Sequence, residues 1–151
     1  MNMKYIFYLI IMSLMIMLIN CSNGKNINGI YIPNIIYLSL ENSREEIEYD
    51  KLIINSLNRD TVSLNRLVSL NSFDGEAAYC HGAIIVELID RVGEDFFIHS
   101  TECLPMSTKK LLLSYIDVGI SYRNETIDIR TTKEVFPKLY YTLNRDSYIS
   151  K

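Results

Sequence analysis

The sequence predicts an all-α domain, a small stack of antiparallel helical hairpins of about five helices, followed by an irregular C-terminal tail. Three observations carry this. Apolar side chains between residues 43 and 119 recur at three- and four-residue spacing, a capping residue precedes most of these runs, and short polar, Gly or Pro breaks separate them. Consecutive helices joined by such short breaks pack as antiparallel neighbours.

The chain opens with Met1-Asn2-Met3-Lys4 and then runs apolar from Tyr5 to Ile19, broken only by the hydroxyl of Ser13. A bilayer span needs about 20 apolar residues and a signal peptide core roughly 7 to 15, so the length favours a signal peptide over residues 1–20. The run closes on Leu18-Ile19-Asn20-Cys21, which resembles the lipobox of bacterial lipoproteins, with Leu three positions before the Cys. That resemblance implies cleavage before Cys21, a thioether from its sulfur to diacylglycerol, and in many members an acylated amino group. Asn20 departs from the small residue usual at that place. The expected partner is therefore membrane lipid, since two or three acyl chains anchor stably where one holds marginally. The expected address is the extracytoplasmic side of a bacterial cell envelope. Ser22, in the place where the family carries an Asp to retain proteins at the inner membrane, leaves either membrane open.

Residues 21–40 read as the lipidated Cys followed by a tether and an extended segment. Residues 21–29 are polar and rich in Asn and Gly, and residues 30–40 are apolar and β-branched around Pro33. Residues 41–122 form the helical domain. Ser43-Arg44-Glu45-Glu46 fits a capping box and starts a helix whose stripe is Tyr49, Leu52, Ile53 and Leu57. Asp60 caps a second helix with Leu64, Leu67 and Val68 inward. Asp74 caps the longest, from Glu76 to about Val92, where Ala77, Ile84, Ile85, Leu88 and Ile89 make the stripe and Ala78 and Gly82 allow a neighbouring backbone to come close. Gly93 ends that central helix. Glu94 and Asp95 suit the start of a fourth, with Phe96, Phe97 and Ile98 as core contacts and Pro105 beyond it. Ser107 or Thr108 opens a fifth, which carries Leu111, Leu112, Tyr115, Ile116 and Val118 toward Gly119.

The outline is similar to helical-hairpin scaffolds of the HEAT type, without a repeating sequence period. The string Asp74-Gly-Glu-Ala-Ala-Tyr-Cys-His-Gly82, with Gly93-Glu-Asp-Phe-Phe97 after it, also resembles segments of uncharacterised helical proteins of bacterial envelopes. No activity comes with either likeness. Residues 123–151 form a basic, Tyr-containing tail: residues 126–130 alternate like a short strand, and Pro137 interrupts any helix beyond it. Arg130, Lys133, Lys138, Arg145 and Lys151 face Asp128, Glu134 and Asp146, so with Tyr140, Tyr141 and Tyr148 the tail suits anionic headgroups or simple packing on the domain.

With 151 residues and a net charge of −3, the chain is one domain without the clustered bases that nucleic-acid binding needs, so no nucleic-acid partner is expected. Neither His81 nor His99 lies in a nucleophile-elbow, phosphate-loop or metalloprotease pattern, so no catalytic residue is assigned. Cys80 and Cys103 fall nearly level if the turn at Gly93 folds one helix back along the other. They are candidates for a disulfide in an oxidising envelope, with two buried free thiols as the alternative. Adjacent Cys80 and His81 point about 100° apart on a helix, so they do not share an ion with His99 and Cys103, and neither metal nor cofactor is expected. Paired acids such as Glu45 with Glu46 and Glu94 with Asp95 are helix-start charges. Residues 41–102 set five Lys and Arg against thirteen Asp and Glu, a field that a basic partner can meet. The sequence thus suggests a membrane-tethered, non-enzymatic protein that binds another protein through its helices. The alternative is an envelope inhibitor or immunity protein that neutralises a toxin or hydrolase through its acidic face.

Overall fold

The computed structural model describes residues 24–41, 44–123 and 130–145. The expected leader, the lipobox-like segment with Cys21, the expected Ser43 capping box and most of the expected 126–130 strand lie outside those residues. Among the described residues the fold is mostly helical, with one two-stranded hairpin, β1 (Lys25–Ile27) and β2 (Ile30–Ile32), and eight helices. They are α1 (Asn34–Leu40), α2 (Arg44–Leu57), α3 (Thr61–Val68), α4 (Gly75–Val92), α5 (Glu94–Thr101), α6 (Met106–Arg123), α7 (Thr132–Val135) and α8 (Pro137–Asn144).

The five expected helices are α2 to α6, and the three additional ones flank them. The Asp60 carboxylate accepts from the Ser63 hydroxyl and from the Ser63 amide, the latter at 3.0 Å, and these bonds, the hydroxyl's first, hold its pKa below the usual carboxylate range. Arg59, just before it, takes a positive φ of 62° and so ends α2. Asp74 stands at the N-cap of α4 but its side chain makes no capping bond, while Gly93 closes the helix with φ 87° and donates to the Ile89 carbonyl at 2.9 Å. Helix α4 is central, touching β2, α1, α2, α5 and, over the greatest length, α6. At that crossing a Cβ built on Gly82 would run into the Tyr115 carbonyl, and one on Gly119 into the backbone of Gly82. Two bare backbones therefore meet. Gly82 does the work expected of it, whereas Gly119 does not end α6, because its missing side chain is what lets the helix continue past α4 to Arg123.

Two expectations at the ends are corrected. The tether and extended segment of residues 21–40 is largely structured: Lys25 pairs with Ile32, Asn26 with Tyr31 and Ile27 with Ile30, and Asn34–Leu40 is helical. Asn28 and Gly29, at φ 49° and 87°, supply the two positive φ values of a tight two-residue hairpin turn, and the Gly29 amide donates to the Asn26 carboxamide oxygen at 2.9 Å. Ile27, Ile30, Ile32, Ile36 and Leu40 are buried in the common core, so burial outweighs the polar composition before them. Residues 130–145 of the C-terminal tail are not irregular either. Thr131 and Glu134 form a capping box for α7, the Asp117 carboxylate accepts from the Thr132 amide and hydroxyl at 2.7 and 2.6 Å, and Pro137 starts α8 rather than interrupting it. Phe136, Leu139 and Leu143 are buried, so the tail packs on the domain and closes its core. No helix among the described residues is long and apolar enough to cross a membrane.

Candidate functional site

Two aromatic clusters lie on either side of the α4–α6 crossing. The inner one surrounds His81, which is fully buried. Its Nδ1 stands 2.9 Å from the Tyr49 hydroxyl; Phe73 stacks on the imidazole at a centroid distance of 4.3 Å, and Tyr115 meets it edge to face at 4.9 Å. Its Nε2 is buried with no hydrogen-bond partner. The consistent tautomer has the Tyr49 hydroxyl donating to Nδ1 and the proton on Nε2 among the rings, where an N–H tolerates an aromatic face and a bare lone pair does not. Burial pushes the His81 pKa down to about 3 and raises that of Tyr49. A histidine held neutral and sealed from solvent is suited to packing and poorly placed to exchange protons with a substrate.

The outer cluster lines an open groove of about 300 Å³ between the hairpin and the flank of α4 and α6. Tyr31 and Tyr122 border it, and Tyr122 stacks on Tyr79 at 6.1 Å. All three tyrosines are about half exposed. Ile30, Pro33, Ala83 and Ile84 give the groove an apolar floor. Charges at its edge are compensated. The Glu87 carboxylate meets Arg91 at 2.8 Å and Arg123 at 2.9 Å, Arg123 also pairs with Asp90, and Lys25 pairs with Asp50. Arg91 further donates to the carbonyls of Asn28 and Gly29 at 2.9 and 3.2 Å, which ties the hairpin turn to α4.

The residues singled out in the sequence scatter across this frame. Cys80 is buried beside the groove, with its Sγ 3.8 Å from the Tyr122 hydroxyl, and burial raises its pKa. Cys103 is exposed beyond the end of α5, and both thiols are free, so the candidate Cys80–Cys103 disulfide is not formed and the alternative of a buried free thiol holds for Cys80 alone. The level placement expected from a hairpin at Gly93 fails because α6, not α5, lies along α4. His99 is exposed, 3.4 Å from Glu102. Among the described residues no three His, Cys, Asp or Glu side chains converge as a metal site would require. Glu94 and Asp95 do begin α5, and they also hold α8: Glu94 accepts from the Leu139 amide at 3.0 Å and Asp95 meets Lys138 at 3.2 Å.

Sequence reasoning missed the groove. Its tyrosines come from three distant segments, and the only signal was global, Tyr 11 against Trp 0. No protein-family model matches the chain, and no curated protein or solved structure is similar to it.

Proposed function

We propose that the chain is a membrane-tethered, non-enzymatic interaction protein of the bacterial cell envelope, anchored through an acylated Cys21 and presenting its helical faces to a protein partner. The observation that carries the reading is a set of large apolar side chains left exposed on helices. Leu38, Ile54, Val62 and Tyr141 stand in solvent on helical surfaces, while His81 and Cys80 are withdrawn into packing. Aromatic and aliphatic side chains of this kind supply contact area rather than proton transfer. The acidic field is largely engaged within the molecule, with Glu48 on Arg66, Asp50 on Lys25, Asp90 on Arg123 and Asp95 on Lys138. That favours a general contact role over an inhibitor that relies on a free acidic face.

The test is the intact mass of the protein extracted from membranes. The mature chain should begin at Cys21 and carry diacylglyceryl and acyl increments, and Cys21→Ala should leave the membrane fraction. Photo-crosslinking side chains at Leu38 and Val62 should then capture one recurrent protein. An unmodified chain that retains residues 1–20 and partitions into the aqueous fraction overturns the tether. Crosslinks without a recurrent protein overturn the interaction role.

A further inference from the structure

We infer that the face bearing Tyr31, Tyr79 and Tyr122 rests on the lipid surface that holds the chain, with these tyrosines in the headgroup layer. The inference depends on the tethered reading above and adds to it an orientation. Gly24 is the first described residue and β1 follows at Lys25. Cys21 lies only three residues before Gly24, and three extended residues span at most about 11 Å. A domain of this size has a radius of gyration of about 13 to 14 Å. The tether is shorter than the body it holds, so the domain cannot turn its far side to the bilayer.

The point of attachment selects the face. A Cβ built on Gly24 would overlap the Tyr31 ring, so that ring lies directly over the backbone where the tether joins the fold. Tyr31 borders the groove with Tyr122, and Tyr122 stacks on Tyr79, which makes one continuous aromatic surface from the attachment point across α4 and α6. Tyrosine favours the membrane–water interface, where the ring meets apolar material and the hydroxyl stays hydrated. Most charged groups around this surface are matched in pairs, Lys25 with Asp50 and Arg91 and Arg123 with Glu87, while the exposed Glu76 carboxylate stands near Tyr122 at its margin. Contact with lipid therefore brings few uncompensated charges to the headgroups and needs no anionic lipid to attract it. The same placement holds if the apolar run of residues 5–19 stays attached as an uncleaved anchor, since Ile19 is only five residues before Gly24.

The chain contains no tryptophan, so single substitutions report cleanly on depth. Full-length lipidated protein is reconstituted into phosphatidylethanolamine and phosphatidylglycerol vesicles whose acyl chains carry bromine. Tyr31→Trp and Tyr122→Trp should each lose most of their emission, and Val62→Trp and Tyr141→Trp should keep theirs. Unsubstituted protein provides the independent measurement: tetranitromethane should nitrate Tyr31, Tyr79 and Tyr122 in detergent and spare them on vesicles, while Tyr141 reacts in both. Unquenched emission at residues 31 and 122, or equal quenching at all four positions, overturns the orientation when the intact mass shows the anchor in place. Vesicle association lost together with the anchor mass overturns the tethered reading itself, which separates the two failures.

Discussion

The two aromatic clusters use the same residue types to opposite ends, and the α4–α6 crossing divides them. Around His81, rings from α2, the loop before α4 and α6 close on an imidazole until no solvent reaches it. Around the groove, rings from β2, α4 and α6 stand half in water. What separates them is the pair of glycines at the crossing, which draws the two backbones together and leaves the inner rings no outlet. Aromatic content alone thus says little about burial; the approach distance of the supporting helices decides it.

The comparison breaks first at the crossing. Gly82→Val should cost about 3 kcal/mol or more, because backbone rather than a yielding side chain occupies the space, and the urea midpoint should fall accordingly. Next comes the one hydrogen bond of the inner cluster. Tyr49→Phe leaves His81 Nδ1 without its buried partner and should cost about 1 to 3 kcal/mol on the same measurement.

Acid should sharpen the contrast further. The folded His81 pKa of about 3 lies below the unfolded value of 6.5, so below pH 6.5 the unfolded chain binds the extra proton. Stability is then complete above about pH 6.5 and falls by roughly 1.4 kcal/mol per pH unit as pH drops toward 3. Urea midpoints from pH 7 to 4 should show that slope, and His81→Gln should remove its contribution. The outer cluster should be nearly indifferent. Tyr79→Ser should change stability by no more than about 0.5 kcal/mol, since its ring is half exposed, and a midpoint far outside that range would show that the outer rings support the fold.

The middle of the chain was legible because its signals are local. Asp60, Gly93 and the apolar stripes of α2 to α6 act within one or two turns, and Ala78 and Gly82 flagged a close approach before a partner was known. The ends were less legible, for three different reasons. Asn28-Gly29 between isoleucines is a strong hairpin signal, yet the polar run around it suggested a tether. In α1, Pro33 and the isoleucines suggested an extended segment, and burial of Ile36 and Leu40 against the domain overrode that propensity. In the tail, Pro137 suggests a break, although a proline is equally suited to the first turn of a helix, which is where it stands.

Sequence by itself determined where α3 starts and α4 stops, at Asp60 and Gly93, that Gly82 faces a close neighbour, and that an apolar run closes on Cys21. Each of these depends on residues near one another in the chain. Only the tertiary structure decided that α6, not α5, lies along α4, that Cys80 is buried while Cys103 is exposed, and that tyrosines from β2 and α6 border one groove. Those are relations between segments tens of residues apart, and they are fixed by which helix surfaces fit closely enough to exclude water, a property that no single stretch of chain contains.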